Sequence, residues 1–261
     1  MTDCKTPCVT FVGAGPGDPE LITVKGKKCL ETADMIIYAG SLVPDALLQW
    51  ARNTCERHNS ASMTLQEIVD LMERGLRENK RVVRLHTGDP SLYGAIFEQM
   101  AALDERGISY EVTPGVTAAF AAAAAMKIEY TLPEETQTLI FTRISGRTPV
   151  PERESLRSLA SHKASMAIYL SISHVKEVSE ILSEAYGPDA SCAVAFRVSQ
   201  PEEKIIYGAA KDLERMVKEA GITRQALIIA GKPIDVRRNA GLLSQPSKLY
   251  DADFSHGFRE A

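Results

Sequence analysis

The sequence predicts an α/β protein. Strand-like and helix-like segments alternate along it with short connections, and turns rich in glycine and proline close several of the strands. Its 261 residues, 44% hydrophobic and 25% charged, suffice for one large domain or two of ordinary size with real cores.

The alternation begins with a strand at "CVTFV" (Cys8–Val12), a helical stretch from about Pro19 to Thr32, and a second buried strand at "DMIIYA". "VPDALLQWA" reads as a short helix. In "MTLQEIVDLMERGLREN", Leu65, Ile68, Val69, Met72 and Leu76 recur at helical spacing. Thr64 and Glu67 match a capping box, in which each side chain satisfies a backbone donor at the helix start. "RVVRLH" is the next strand, "SLYGAIFEQMAALDERG" a helix closed by Gly107, and "SYEVT" a further strand. This β-α run predicts a parallel sheet with helices on both faces.

At "TPGVTAAF" the chain must turn sharply. It restarts with strands at "TLIFTR", "SMAIYL", "CAVAFRV" and "ALIIAG" and helices near 152–160, 174–186 and 209–220. The expected domains are therefore 1–114 and 115–236, followed by an extended tail over 237–261.

The net charge of −4 gives no overall attraction to nucleic acid or anionic membrane, so an anionic ligand needs a local basic cluster. The small-apolar run "AAFAAAAAM" is far shorter than the ~20 residues a bilayer requires. Five cysteines (Cys4, Cys8, Cys29, Cys55 and Cys192) form no C-x-x-C pair, and no apolar signal stretch precedes them. The expectation is reduced thiols in a cytoplasmic protein. Five scattered histidines offer no metal-ligand spacing, so no metal is expected.

"VTFVGAGPGDPELIT" resembles a dinucleotide loop at first sight. The third glycine of that fingerprint is replaced by Asp18, and Pro16 removes a backbone N–H from the cradle. No Gly-Lys-Ser/Thr ending marks a phosphate loop. What remains are three small-residue turns at strand ends, "GAGPGDP", "HTGDPSLYG" and "TPGVTAAF". Ligands collect outside the carboxyl ends of strands in open α/β sheets, and mostly-backbone walls suit a ligand with amides, hydroxyls and an adenine edge.

In this order, "GAGPGDPELIT", "YAGSLVP", "GDPSLYG" and "TPGVTAAFAAAA" resemble the tetrapyrrole methylase family, whose members use S-adenosylmethionine to methylate corrin and porphyrin precursors. "YAGSLVP", "TRISGRTPVPERESL" and the ending "SKLYDADFSHGFR" are similar to its precorrin-4 branch, which methylates carbon 11 of a cobalamin precursor. The resemblance implies two α/β/α domains with the active site in the cleft between them, and a homodimer. It carries cofactor contacts onto Pro16, Gly88, Asp89, Leu92, Thr117, Ala118, Leu170, Arg197 and Val198. For Asp89, capping of a nearby helix start weighs equally. The uroporphyrinogen-methylating branch has tyrosine-aspartate where this chain reads Tyr38-Ala39-Gly40-Ser41, and the small residues leave room for a macrocycle edge.

The acceptor implied by the family carries many carboxylates, for which arginine is the natural partner. Arg143, Arg147, Arg153 and Arg157 lie within fifteen positions; the first two are the expected substrate contacts and the others a solvated face. Arg84 is a weaker candidate, and the hydroxyl of Tyr38 is a possible cavity lining. Methyl transfer from a sulfonium needs alignment above all, and no catalytic residue is singled out. The wording of "GDPSLYGAIFEQM" and "TRISGRTPVP" leans toward the cobalt-carrying acceptor. The alternatives are another tetrapyrrole or a macromolecular acceptor, a nucleotide-dependent oxidoreductase, and a non-catalytic binder.

Overall fold

The computed structural model describes residues 8–40 and 42–238, with Ser247, Phe254, Ser255 and Gly257. Most of the expected tail, including nine of the thirteen residues of "SKLYDADFSHGFR", His256 among them, and also Cys4 and Ser41 lie outside the described residues. Two compact units emerge, one running to Ala121 and including Ser199–Pro201, the other holding the rest. Each contains one five-stranded sheet.

In the first unit the strands are β1 (Val9–Gly13), β2 (Met35–Tyr38), β3 (Glu56–Asn59), β4 (Val82–His86) and β5 (Tyr110–Thr113). They pair in the order β3-β2-β4-β1-β5, all parallel, as the alternation predicts. Helices α1 (Val24–Thr32), α2 (Leu65–Arg77) and α3 (Ile96–Glu105) connect them, and α4 (Ala118–Met126) follows β5. Successive strand residues face opposite sides, so Val9, Phe11, Met35 and Ile37 pack with Val69, Met72 and Leu103 of α2 and α3. Val12, Ile36, Val83 and Leu85 pack on the other side with Leu30 of α1 and Leu47.

The capping box of α2 is present. Glu67 N–H donates to Thr64 Oγ1 at 3.3 Å, and Thr64 N–H to Glu67 Oε2 at 2.7 Å. The short helix expected at "VPDALLQWA" is present as a 3-10 helix, Asp45–Trp50. Two expectations are corrected. The helix expected from Pro19 to Thr32 splits into a single 3-10 turn, Pro19–Leu21, and α1, because Thr23 turns extended and caps α1 through the Gly26 N–H. The helix expected from Ser91 starts at Ile96, because Tyr93 and Ala95 adopt left-handed φ of 56° and 48°. Strand β3 was missed: its "ERHN" is polar, and as an edge strand it is only half-buried.

The second unit holds β6 (Leu139–Arg143), β7 (Ser165–Tyr169), β8 (Ser191–Phe196), β9 (Lys204–Ala209) and β10 (Ala226–Ala230), in the order β6-β7-β10-β8-β9. Only β6 and β7 run parallel; β10 is antiparallel to both of its neighbours, and β9 to β8. Helices α5 (Leu156–Ala160), α6 (Val175–Tyr186), α7 (Leu213–Glu219) and α8 (Lys232–Arg238) complete it. Its core joins Met166, Ile168, Val194 and Ile228 to Leu156, Leu182 and Leu213. No described helix is long and apolar enough to cross a membrane.

Candidate active site

Parallel pairing sets Gly13 beside His86 and Val12 beside Thr113, so β4, β1 and β5 end level. The three turns that the sequence singles out are therefore neighbours. Gly15 and Gly88 exchange backbone hydrogen bonds of 3.2 and 2.8 Å, and Ala14 N–H donates to His86 O at 2.7 Å. A Cβ on Gly13 would sit 2.6 Å from Gly115 Cα and 2.7 Å from Gly88 O, so only glycine lets the three backbones approach. The cradle is backbone-walled, as a ligand recognised through amide and hydroxyl groups requires.

Asp89 fastens this cradle. Its Oδ2 accepts the Gly115 N–H at 2.8 Å, while Oδ1 accepts the Ser91 N–H at 2.8 Å and the Ser91 hydroxyl. Partial burial would raise its pKa, but the Ser91 hydroxyl and the backbone N–H groups of Gly115 and Ser91 outweigh it and hold the carboxyl below its ordinary value. The helix-capping alternative is corrected: α3 begins seven residues later, and Asp89 caps the Asp89–Leu92 turn instead. Pro16 is buried, with its carbonyl accepting from Gln200 Nε2 at 3.4 Å. Thr117 is buried and Ala118 opens α4, the Thr117 carbonyl accepting the Phe120 N–H at 3.1 Å.

Beside the cradle lies a cavity of about 410 Å³, bounded by Ala39, Ile68, Leu92, Tyr93 and Gln99 among others, with Arg84 and His86 in its wall. Both come from alternate positions of β4 and are 5% exposed. Arg84 Nε donates to Gln99 Oε1 at 2.9 Å, and Nη1 to Ser60 Oγ at 3.0 Å and Ile37 O at 3.3 Å. Burial lowers the Arg84 pKa to about 10, so it remains a cation at neutral pH. Burial, with the Arg84 charge, pushes His86 down to about 3, so its ring is neutral. Tyr38 lies on the opposite face of the sheet, against the α1 side of the core. Ala39, the small residue following it, is part of the cavity wall.

In the second unit, pairing of Arg143 with Tyr169 and of Ala226 with Phe196 brings Arg143, Leu170, Arg197 and Val198 to one end of the sheet. Arg197, at φ 42°, donates through its N–H to Gln225 O at 3.0 Å and through Nε to Gln225 Oε1 at 2.8 Å. Its guanidinium also lies 3.6 Å from Glu202, and Val198 is buried. Leu170 is 63% exposed at a left-handed φ of 52°, an uncommon conformation for a bulky side chain. Arg143 donates to the carbonyls of Ile144, Thr148 and Pro149 at 3.3, 3.0 and 2.9 Å, so it shapes the 144–149 loop. Arg147 is exposed and forms no hydrogen bond or ion pair among the described residues. Arg153 and Arg157 pair with Glu154 and Glu184 at the surface.

Burial pushes the Cys192 thiol up to about 12 and raises those of Cys29 and Cys55, leaving them protonated at neutral pH. Among the described residues no cluster of His, Cys, Asp or Glu could hold a metal ion.

Residues 8–214 match the family of tetrapyrrole (corrin/porphyrin) methylases. The chain belongs to this family. The methylase is 50% identical over 254 residues to the cobalt-precorrin-4 C(11)-methyltransferase of Methanocaldococcus jannaschii, covering 97% of this chain and 96% of that one. It is 45% identical to the precorrin-4 C(11)-methyltransferase of Pseudomonas aeruginosa, over 96% and 98% of the two chains. Among solved structures, a cobalt precorrin-4 methyltransferase matches with a TM-score of 0.85 at 46% identity, over 87% of this chain and 95% of that one. The uroporphyrin-III C-methyltransferase of Thermus thermophilus, complexed with S-adenosyl homocysteine, matches with a TM-score of 0.73 at 26% identity, over 88% and 94%. The fold expected from the sequence, two α/β domains of this family, is thereby established.

Proposed function

We propose that this methylase transfers the methyl group of S-adenosylmethionine to carbon 11 of precorrin-4, in its cobalt-carrying form, during cobalamin biosynthesis. The observation that carries this reading is the 50% identity, over 97% of the chain, to a cobalt-precorrin-4 C(11)-methyltransferase. The glycine cradle supports it: its backbone walls, drawn close at Gly13, Gly88 and Gly115, leave room for a ligand to approach the main chain as a nucleoside requires. In the second unit, the exposed Leu170 is an apolar surface of the kind an adenine or a methionine chain would cover.

When bound, the donor supplies an electrophilic methyl on sulfur; the carbon–sulfur bond breaks with its electrons going to sulfur as the carbon–carbon bond forms. The chain's own residues orient and enclose. Asp89 ties the second and third turns together, Arg197 fixes the end of β8 against Gln225, and Arg143 holds the 144–149 loop that presents Arg147. Holding reactants in line can supply about 7–11 kcal/mol of acceleration in favourable cases, which is why no activated nucleophile is needed. The enzyme works as a cytoplasmic homodimer on a small-molecule acceptor and takes no nucleic acid.

The test is anaerobic turnover with precorrin-4, with and without cobalt, followed by mass spectrometry and carbon-13 NMR of the product. One added methyl at carbon 11, faster on the cobalt form, is expected. Addition at another carbon overturns the reading. Calorimetric titration with S-adenosylhomocysteine, NADH and NADPH checks the donor: saturable binding of a nicotinamide alone is incompatible with it.

A further inference from the structure

The cavity beside the cradle contains a charge that the fold does not balance. Arg84 is 95% buried by its 5% exposure, and its three hydrogen-bond acceptors, Gln99 Oε1, Ser60 Oγ and Ile37 O, are all neutral. No described carboxylate lies within ion-pair distance of it, although Glu98 is at the cavity's edge. Its Nη2 makes no hydrogen bond among the described residues. Two residues along the same strand, the buried His86 Nε2 also has no partner. A buried cation without a counter-ion is costly, and most folds neutralise it. Here Arg84 stays charged because guanidinium does not readily release its proton.

The rest of the wall is mixed: Leu42, Leu65, Ile68 and Leu92 contribute apolar side chains, and Thr87, Gln99 and Glu98 polar ones. A buried guanidinium with only neutral partners, beside the side chains of Leu65, Ile68 and Leu92, fits an alkyl arm ending in a carboxylate. We propose that this cavity is the subsite for one carboxylate-tipped side arm of the acceptor, with the Arg84 guanidinium binding the carboxylate through Nη2. The inference rests on the reading of the acceptor as a polycarboxylate tetrapyrrole. It makes Arg84 a specificity residue: an acceptor whose matching arm is esterified loses its counter-charge and is rejected.

Fluorescence titration of the full chain with uroporphyrin III, a stable tetrapyrrole bearing carboxylates on every ring, tests this directly. The wild type is expected to bind it, and its octamethyl ester at least about tenfold more weakly, the scale of one lost charge-assisted hydrogen bond. Arg84→Gln should weaken uroporphyrin binding by a similar factor while S-adenosylhomocysteine affinity changes less than about twofold. Leu65→Glu is the second variant. It lies at the first turn of α2, where an acidic residue is compatible with the helix, and sets a further carboxylate of the protein's own in the cavity wall. It too should weaken uroporphyrin binding. Unchanged uroporphyrin binding in both variants, or no binding by the wild type, overturns the subsite. Carbon-11 turnover separates the two levels: normal turnover with an unchanged acceptor KM in Arg84→Gln removes the subsite alone. Absent wild-type turnover together with Arg84-dependent uroporphyrin binding removes the carbon-11 assignment alone.

Discussion

Asp89 and Gly115 are 26 positions apart in sequence, yet the carboxylate of one accepts the backbone N–H of the other at 2.8 Å. With Ser91 on the second oxygen, a single side chain fixes the loop after β4 against the loop after β5. Asp89→Asn should therefore loosen the cradle more than it destabilises the fold. The expected loss in stability is about 1 kcal/mol once solvent screening is allowed for, with a larger fall in S-adenosylhomocysteine affinity by calorimetry. Equal, small effects on both would show that the tie does not shape the donor site.

Leu170 separates strain from function. Replacing it with glycine removes a left-handed side-chain penalty of about 1–2 kcal/mol and adds a backbone-entropy cost of similar size, so thermal stability should barely move. Donor binding should weaken about tenfold, as expected for losing one buried leucine contact. Calorimetry with S-adenosylhomocysteine reads this, and unchanged affinity would remove Leu170 from the site.

The two arginines of the 144–149 loop should behave differently. Arg143→Ala removes three hydrogen bonds from the carbonyls of the 144–149 loop and should lower Tm together with acceptor turnover. Arg147→Ala should leave Tm and donor affinity nearly unchanged and raise the acceptor KM, an effect that fades in high salt. Loss of donor and acceptor affinity together would instead show that Arg147 does not serve the acceptor alone.

Asp34 gives a pH signature. Hydrogen bonds from Arg81, through side chain and backbone, and from Arg52 hold its carboxyl well below the usual carboxylate range. A depressed folded-state pKa contributes stability above the unfolded value near 3.8, and that contribution is lost as pH falls toward the folded value. Asp34→Asn should thus be destabilised by about 1 kcal/mol at neutral pH, after discounting for its partial exposure. Chemical denaturation below about pH 4 should show the gap from wild type closing.

Local chemistry made some of this architecture readable. Thr64 and Glu67 announce α2 because a capping box acts between neighbours, and the glycines of the three turns announce strand ends because few other residues fit there. The start of α3 was hidden: Tyr93 and Ala95 favour no left-handed turn on their own, and a distant tie through Asp89 accompanies it. Edge strand β3 was hidden because a half-buried edge tolerates polar residues, which blurs its pattern. For Arg143 the sequence showed a cation but not the chain reversal that surrounds it with carbonyls. For Arg84 it showed an arginine among apolar residues, whereas the missing counter-ion is a property of everything that packs around it.

The first unit is discontinuous, taking Ser199–Pro201 from far down the chain. Ser199 Oγ accepts the Asp18 N–H at 3.0 Å, and Gln200 reaches the Pro16 carbonyl. During synthesis the opening glycine loop therefore waits for its last partners until residue 200 of 261 has left the ribosome. A fragment cut at Ala121 would carry every strand of the first sheet but leave that loop without its closing clasp. The opening glycine loop is thus finished late in synthesis, by residues that follow β8.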